Sequence, residues 1–439
     1  MIEKLNDTIT KLAPDAQELS RKLFAHPETA EHEYQAVHFF EDYMNAHSFH
    51  TQRDVYDMPA SFRSSWGLDT GVTIGFLAEY DALPGLWQPP LPFYQGDSTR
   101  PGHGCGHNLL GSACALAAVA LKQVLDEEGI PARIIVYGCP AEEILKGKII
   151  MAHAGAFREL DAALSWHPSD INRTSNTACQ AMDAIRFHFT GRAAHAAAAP
   201  HLGRSALDAC ELMNVGVNYL REHITDSERI HYIFENGGEK PNVVPENAET
   251  LYYVRGQDRE TVTHTTERII NIGHGAELMT DTKMTYQFET RGYEMLINHT
   301  IANLIWDIMN ATPFPVYTES EYNFVRLLAE SVNITPDFSR NLEPYTYGQT
   351  VKAFGSTDFS DISQLVPSGA FRCVCAPLKT PLHHWAMTAC CGSSIGEKGM
   401  IYAARILAQT ALRLITETNI LEDASKEFQN SYKGWWDTK

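Results

Sequence analysis

Apolar residues in the first part of the chain recur at helical spacing. The pattern extends from Pro14 to about Ala46 and is interrupted at His26-Pro27. Because the residue before a proline is disfavoured in a helix, the interruption separates two helices. The apolar positions that define them are Leu19, Leu23, Phe24, Val37, Phe39, Phe40 and Tyr43.

Short apolar runs with strand-like composition follow, and an alanine-rich run from Ala113 to Leu121 predicts a buried helix among them. Strands that alternate with helices are typical of a parallel sheet covered by helices. We therefore predict an α/β domain. A long helix near Met400–Glu417 is predicted to belong to the same domain. The predicted strands of the first part are residues 60–66, 71–77, 132–137 and 161–165.

The pattern changes after about Ala178. Strand-like and helical segments then follow one another in the order β-α-β-β-α-β, which is that of a ferredoxin-like domain. We expect residues 181–294 to form a small α+β domain, inserted into a larger domain made of residues 1–180 and 295–439. The segments are residues 183–190, 204–222, 229–234, 250–255, 260–279 and 283–290.

The composition is that of an ordinary globular protein, with 44% hydrophobic and 20% charged residues. A formal net charge of -19 argues against nucleic acid or an anionic membrane as a partner, since either requires a basic surface. We see neither an apolar run long enough for a membrane span nor a secretory signal. Nine scattered cysteines fit reduced thiols in the cytoplasm better than a disulfide framework.

Three groups of residues with metal-ligand chemistry each follow a predicted strand or open a helix. Cys105 and His107 precede the alanine-rich helix, Glu142 and Glu143 follow the third strand, and His167 follows the fourth. In open α/β sheets, ligands gather at the carboxyl ends of strands. Thiolate, imidazole and carboxylate together suit Zn²⁺, or Mn²⁺, Co²⁺ or Ni²⁺.

The two adjacent glutamates suggest a division of labour. Neighbouring side chains do not easily reach one ion, so one can bind metal while the other accepts a proton from a water molecule acidified by that metal. Each motif has an ordinary alternative: Cys-x-His pairs are common, Glu-Glu pairs are usually solvated, and His-Pro can be a turn. Their combination at strand ends favours a metal site.

In combination, these motifs resemble those of the aminoacylase/carboxypeptidase metallohydrolases. The chain is most similar to the amidohydrolase branch with Cys-x-His in place of His-x-Asp, and within it to the p-aminobenzoyl-glutamate hydrolase type. The resemblance implies a zinc-peptidase-like α/β domain with a helix-flanked mixed sheet. The motifs that carry it are residues 80–84, 103–108, 140–143, 166–168, 191–197, 203–209, 214–223, 241–245, 355–358 and 397–400.

The resemblance also implies roles for single residues. Glu142 would be the general base, and Asp81 would orient a ligand imidazole. One or two divalent metals would be held by Cys105, His107, Glu143, His167 and His383. His384 is the alternative to His383, because two histidines lie between Pro381 and Trp385.

In such enzymes the inserted domain also serves as a lid and mediates dimerisation. His195 and Asn242 would then approach the metal site, from the partner subunit, to polarise the scissile carbonyl. Arg255 would clamp a substrate carboxylate, with a surface salt bridge as the alternative. The resemblance implies a homodimer, and a heteromer with a related chain is also open.

The function expected from the resemblance is hydrolysis of an amide bond in an N-acyl amino acid or dipeptide-like substrate. The alternative is a non-catalytic subunit that completes the active site of a related chain, and a metal-storage role is a third hypothesis. The sequence departs from the motifs of the family that it resembles at residues 144–148, at His384 and at Cys390-Cys391. These departures leave the ligands in place and put the identity of the substrate in doubt.

Overall fold

The structure is a computed structural model and describes residues 1–68 and 70–434. The helices of the described chain are α1 Ile2–Ala25, α2 Tyr34–Ala46, α3 His107–Glu128, α4 Gly147–His153, α5 Ala206–Leu220, α6 Arg259–Thr280, α7 His299–Ala311, α8 Glu319–Val332, α9 Phe359–Ser363, α10 Trp385–Cys391, α11 Ser394–Thr416 and α12 Thr418–Ser431. The strands are β1 His50–Arg53, β2 Phe62–Gly67, β3 Val72–Ala78, β4 Ala132–Gly138, β5 Ala162–Leu164, β6 His167–Ser169, β7 Arg173–Thr174, β8 Thr177–Ala178, β9 Ala181–Thr190, β10 Arg229–Asn236, β11 Asn247–Gly256, β12 Lys283–Gly292, β13 Val351–Lys352, β14 Ser368–Gly369 and β15 Phe371–Val374. Short 3-10 turns lie at Pro200–Leu202 and Arg221–His223.

The chain divides into two compact units. The first unit contains Met1–Thr177, Leu296–Val351 and the described chain from Ile362 onward. The second unit contains Ala178–Met295 and the short segment Lys352–Asp361.

A mixed sheet organises the first unit, in the strand order β1-β2-β4-β3-β5-β14. β3, β4, β5 and β14 are parallel to their neighbours in this series, whereas β2 pairs antiparallel with both β1 and β4. The α/β fold class with a mixed sheet is thereby confirmed. A fully parallel sheet is wrong at one edge, because β1 and β2 follow each other without the crossover helix that parallel neighbours require.

The core of the first unit surrounds α3. Residues His107 to Leu121 of this helix are all buried, and α3 packs against α1 and α11. By length and composition α3 could also cross a membrane, but 89% of its most apolar window is buried inside the protein. A core helix of a globular fold shows the same combination.

The first helix is longer than the sequence pattern predicts. α1 begins at Ile2 and continues through Pro14, although proline removes a backbone donor from the helix. Leu5, Ile9 and Ala13 are buried on one face of the added turns and extend the stripe that reaches Leu19. Burial of this continuous stripe offsets the missing hydrogen bond.

The second unit contains a four-stranded antiparallel sheet in the order β10-β11-β9-β12. Its elements follow the predicted order β9-α5-β10-β11-α6-β12. α5 and α6 pack against each other and against the sheet. β10 lies at one edge of this sheet, and most of its side chains are exposed or half-buried.

Candidate metal centre

Three adjacent parallel strands end at the same edge of the sheet in the first unit. β3 lies between β4 and β5. Glu79 and Asp81 follow β3, Glu142 and Glu143 follow β4 after a short turn, and His167 follows β5. The fold therefore brings the residues that follow β3, β4 and β5 to one edge, as the rule for open α/β sheets predicts.

Two glycines allow close approach of the loop before α3. Gly106 has a φ of 84°, and a Cβ added there would lie 2.9 Å from Pro168 side-chain atoms and 3.0 Å from Cys391 Sγ. Gly104 accepts a hydrogen bond from the His383 amide at its carbonyl, at 3.0 Å. These contacts set Cys105 between the segments that carry His167 and His383.

Asp81 connects two of the candidate ligands. Its Oδ1 lies 2.8 Å from Nδ1 of His107, and its Oδ2 accepts a hydrogen bond from the Glu143 amide at 2.9 Å. The side chains of Asp81 and His107 are completely buried. One carboxylate thus orients an imidazole and the segment that carries the glutamate pair.

Hydrogen bonds to Nδ1 set which nitrogen each imidazole offers to the centre. His167 Nδ1 lies 2.7 Å from its neighbouring Pro168 carbonyl and must donate to it, which leaves the Nε2 lone pair 3.2 Å from Cys105 Sγ. His107 donates from Nδ1 to Asp81 in the same way. Its Nε2 is buried and makes no hydrogen bond in the described chain, although Glu79 Oε2 lies 3.3 Å from it.

Glu143 and His383 form the other side of the cluster. His383 Nε2 lies 3.4 Å from Glu143 Oε2, while Glu143 Oε1 is buried without a hydrogen-bond partner among the described residues. His383 has a φ of 55°, a left-handed conformation that turns the chain at this position. His384 instead precedes α10, where its Nδ1 accepts a hydrogen bond from the Ala386 amide at 3.3 Å. The structure therefore brings His383 to the cluster.

The donor set fits divalent metal. Three groups have ligand atoms within 4.8 Å of one another, and two of them share Cys105. Glu143 Oε1 makes no hydrogen bond within the described residues, and His107 Nε2 has only the Glu79 carboxylate near it, at 3.3 Å. A cation would satisfy both buried polar atoms. The groups are Cys105-His107-His167, Cys105-Glu143-His383 and Glu79-His107-Glu142.

Burial and neighbouring charges shift the pKa values of the cluster in opposite directions. Burial raises the pKa of Cys105 to about 12 and lowers that of His167 well below its usual range. For His107, burial lowers the pKa, but the charges of Cys105 and Asp81 outweigh burial and raise it. For Asp81, burial raises the pKa, but His107 outweighs burial and lowers it. A cation beside Cys105 would favour the thiolate that burial disfavours.

Sequence reasoning missed Glu79 and Lys148. Glu79 Oε2 lies 3.3 Å from His107 Nε2, and Glu79 Oε1 lies 2.7 Å from Lys148 Nζ. Both side chains are almost completely buried. Glu79 directly follows β3, so the strand-end rule that selected the other residues could also have selected it.

Glu142 lies next to these groups. Ala141 before it has a φ of 57°, a left-handed conformation unusual for alanine, which redirects the chain after β4. A carboxylate oxygen of Glu142 is within 4.8 Å of ligand atoms of Glu79 and His107. Glu142 is half-buried, in contrast to His107. Its carboxylate is therefore both near the cluster and reachable by solvent.

The remaining candidates lie in the second unit. His195 pairs with Val243 in an isolated antiparallel bridge, and the Ala196 amide donates to the Asn242 carbonyl at 3.0 Å. The structure therefore brings His195 and Asn242 together. Arg255 is half-buried on β11 and donates from Nη1 to Ser356 Oγ at 3.2 Å. It has no ion pair within the described chain, so the surface salt bridge is not observed.

Comparison with known proteins identifies the family. The profile of Peptidase family M20/M25/M40 matches residues 75–386. The chain is 35% identical to a subunit of the p-aminobenzoyl-glutamate hydrolase of Escherichia coli K12, over 94% of this chain and 91% of that protein. It is 31% identical to the Xaa-Arg dipeptidase of Mus musculus, over 94% and 88% of the two chains.

A solved structure shares the fold. The YXEP protein of Bacillus subtilis, described as a dinuclear metal binding peptidase from the M20 family, aligns with a TM-score of 0.59 and 16% identity. The alignment covers 92% of this chain and 99% of that protein. Together with the ligand groups, the family match confirms the prediction of a metal-dependent hydrolase of amide bonds. The chain belongs to the peptidase family M20/M25/M40.

Proposed function

We propose that this enzyme hydrolyses the amide bond of an N-acyl amino acid or dipeptide-like substrate, with p-aminobenzoyl-glutamate as a representative. The observation that carries the proposal is the meeting of Cys105, His107, Glu143, His167 and His383, with Glu142 beside them. The names of the two relatives support this substrate class, since one acts on an acyl-glutamate and the other on a dipeptide.

The proposed ligands are Cys105, His107, Glu143, His167 and His383. A divalent metal held there would supply Lewis acidity, which lowers the pKa of water towards about 7 and polarises a carbonyl oxygen. Zn²⁺ suits the thiolate and imidazole donors best, and Mn²⁺, Co²⁺ or Ni²⁺ can also use this mixed set.

Glu142 is the proposed general base. Its carboxylate takes a proton from the attacking water while the oxygen of that water forms a bond to the scissile carbonyl carbon. When the carbon–nitrogen bond breaks, Glu142 returns the proton to the leaving nitrogen. The products are a carboxylic acid and an amine, so Glu142 ends in the state in which it began.

The second unit supplies the proposed carbonyl-polarising groups. His195 Nδ1 accepts hydrogen bonds from the Ala197 and Ala198 amides at 3.3 and 3.2 Å. In the neutral imidazole the proton is therefore on Nε2, which can donate to a developing oxyanion. Asn242 offers a neighbouring amide. Arg255 is the proposed clamp for a substrate carboxylate, because its fork of donors matches that group.

We further propose a homodimer formed through the second unit, in which His195 and Asn242 act on the partner's metal site. β10 is a sheet edge that could pair with its symmetry copy. α5 carries the exposed apolar residues Leu212, Val215 and Tyr219, spaced three and four residues apart on one face. A heteromer with a related chain would use the same surface.

A cytoplasmic location is part of the proposal. The nine cysteines form no disulfide bond within the described chain, and most of them are buried. Reduced thiols are usual in the cytosol, where disulfides are rare.

A hydrolysis assay of the purified chain alone tests the proposal. The panel should contain p-aminobenzoyl-glutamate, other N-acyl amino acids and dipeptides, each with Zn²⁺, Mn²⁺, Co²⁺ or Ni²⁺. We expect turnover of at least one substrate class. A metal-loaded chain that is inactive alone but raises the activity of a related chain would favour the alternative of a partner-completing subunit.

A further inference from the structure

An aromatic cleft lies beside the candidate metal centre in the first unit. It has a volume of about 360 Å³ and is lined by Gly85, Leu86, Trp87, Tyr94, His384 and Trp385. The rings of Tyr94 and Trp385 meet edge to face, with centroids 5.8 Å apart. None of the described lining residues carries a carboxylate or an ammonium group.

The cleft is continuous with the loops that hold the ligands. A Cβ added at Gly104, which precedes Cys105, would lie 2.7 Å from Leu86 Cδ1 and 3.5 Å from His383 Cα. Leu86 and His384 therefore form a wall directly beside the segment that carries Cys105 and the segment that carries His383. The cleft is therefore adjacent to the candidate metal centre.

The accessibility of the cleft suits a ligand. Tyr94 is 59% exposed, so the cleft is open to solvent on this side. The guanidinium of Arg100 lies over the Trp87 ring, 4.3 Å from its centroid, and holds that ring in place. Flat, uncharged walls of this kind favour a planar aromatic group through edge and stacking contacts.

We propose that this cleft binds an aromatic ring of the substrate and makes the enzyme selective for amides that carry such a ring. The inference rests on the proposed function, because it names the substrate class of the same site. Tyr94, Trp87 and Trp385 are the specificity-determining residues. The ring belongs to either the acyl group or the leaving amino acid, and substrates that differ only in ring saturation distinguish these two sources.

Matched substrates and a matched variant pair test the cleft. N-benzoyl-glutamate is compared with N-cyclohexanecarbonyl-glutamate, and N-acetyl-phenylalanine with N-acetyl-cyclohexylalanine. Tyr94→Leu removes a ring from the cleft, whereas Phe93→Leu removes a neighbouring ring that is also exposed and does not line it. Both positions are on the surface, so both variants should fold.

We expect the wild-type enzyme to prefer the aromatic member of at least one pair. Tyr94→Leu should reduce that preference in kcat/KM by about 3- to 10-fold, the size of one aromatic contact, and Phe93→Leu should leave it unchanged. Equal losses for aromatic and saturated substrates, or equal effects of the two variants, would overturn the proposal.

Failure of the proposed function would give a different result, namely no hydrolysis of any substrate. In that case, binding of benzoate and of cyclohexanecarboxylate to the protein tests the cleft. NMR line broadening of each acid measures its binding. Tighter binding of benzoate that Tyr94→Leu abolishes supports the cleft, and equal binding of both acids overturns it.

A second inference concerns Glu33, a completely buried residue that precedes α2. Its Oε1 accepts a hydrogen bond from the Ala141 amide at 2.8 Å, next to Glu142. The segment before it also contacts the Asp81 loop, because the Ala82 amide donates to the Glu28 carbonyl at 2.8 Å. Residues 28–33 thus contact both loops that carry the proposed acid–base and orienting carboxylates.

The conformation of Ala141 explains why such a contact is needed. A left-handed alanine is intrinsically unfavourable, so its surroundings must hold it. We infer that Glu33 is a positioning residue, which holds Ala141 and thereby sets the direction of Glu142. Glu33 itself touches no proposed ligand.

Replacement of Glu33 by Gln, Met and Asp tests this role. Glu33→Gln keeps an acceptor for the Ala141 amide, Glu33→Met removes it, and Glu33→Asp withdraws it by one methylene. We expect the Glu33→Met and Glu33→Asp variants to lower kcat by about 10-fold or more, with KM and bound metal within about 2-fold of wild type. This split is expected when the geometry of the site rather than binding is lost. The Glu33→Gln variant should have a kcat near that of wild type.

Glu31→Gln is the control, since Glu31 is in the same segment and pairs at the surface with Lys146. It should leave kcat unchanged. If Glu33→Met does not fold, the Asp variant decides the question. Wild-type kcat in the Asp variant, or an equal loss in the Gln variant, would overturn the inference.

Discussion

The two units hold their candidate residues in different ways. In the first unit, Asp81 and His107 are buried and joined by hydrogen bonds between side chains distant in sequence. In the second unit, His195 is held mainly by amides two and three residues further along the chain, and Asn242 is exposed. The candidate metal centre is therefore organised by buried side-chain contacts, whereas His195 and Asn242 lie on exposed segments joined through their backbones. This difference fits residues that act on another chain.

The largest effect is expected at the general base. Glu142→Gln should lower kcat by about 10²- to 10⁴-fold, because the variant cannot accept a proton from water. Bound metal, measured by elemental analysis, should remain near the wild-type amount. Loss of metal together with activity would show that Glu142 is a ligand instead.

His195→Ala should lower kcat by about 10²- to 10³-fold, the usual effect of removing one oxyanion donor. Metal content should not change, because His195 belongs to the other unit. Wild-type activity in this variant would remove His195 from the mechanism.

Mixing the inactive Glu142→Gln and His195→Ala proteins tests whether the second unit serves its partner. In a mixed dimer, the chain with intact Glu142 receives His195 from the other chain, so random mixing should restore about a quarter of wild-type activity. If His195 acts in its own chain, no mixed dimer has a complete site and activity stays absent. The assay is made after subunits have exchanged.

Asp81→Asn tests the buried hydrogen bond between Asp81 and His107 in the first unit. The amide cannot provide the carboxylate charge that stabilises His107, and metal affinity should fall by about 10- to 100-fold. Competition with a metal chelator measures this change. An unchanged affinity would mean that Asp81 orients the protein chain without affecting the metal.

The smallest expected effect is a change in the free energy of unfolding with pH. Burial, with a smaller contribution from Asp81, raises the pKa of Glu33 from 4.5 to about 8. The native state therefore keeps a proton that the unfolded state loses between these values, so the stability from Glu33 declines as pH rises from about 4.5 to about 8. The glutamine of Glu33→Gln does not titrate. As pH rises from 5 to 8, the free energy of unfolding of this variant should therefore increase relative to that of wild type by on the order of 3 kcal/mol. Urea unfolding at both pH values measures it, and a pH-independent difference would contradict the shift.

Much of the candidate metal centre could be predicted because strand ends are a local signal. The glutamate pair and His167 each follow an apolar strand, Cys105 and His107 precede an apolar helix, and the fold brings these residues together. The choice of His383 over His384 depends on the turn at His383 and its contact with Gly104, which spacing alone does not give.

Other features depend on contacts that are distant in sequence. No motif in the sequence connects Glu33 with the glutamate pair, because its hydrogen bond with Ala141 joins residues 108 positions apart. The aromatic cleft likewise combines residues 85–94 with residues 384–385. The antiparallel edge of the large sheet arises from a connection without a helix, which apolar runs do not distinguish from a parallel one.

Titration of the metal-free chain with Zn²⁺ examines the proposed centre itself, with bound metal and p-aminobenzoyl-glutamate hydrolysis measured on the same samples. We predict that activity is absent without metal and rises in parallel with the first one or two equivalents bound per chain. The Cys105→Ala variant should bind less metal and remain inactive over this range. Full hydrolysis by the metal-free chain, or unchanged metal binding and activity in Cys105→Ala, would contradict a centre built on these residues.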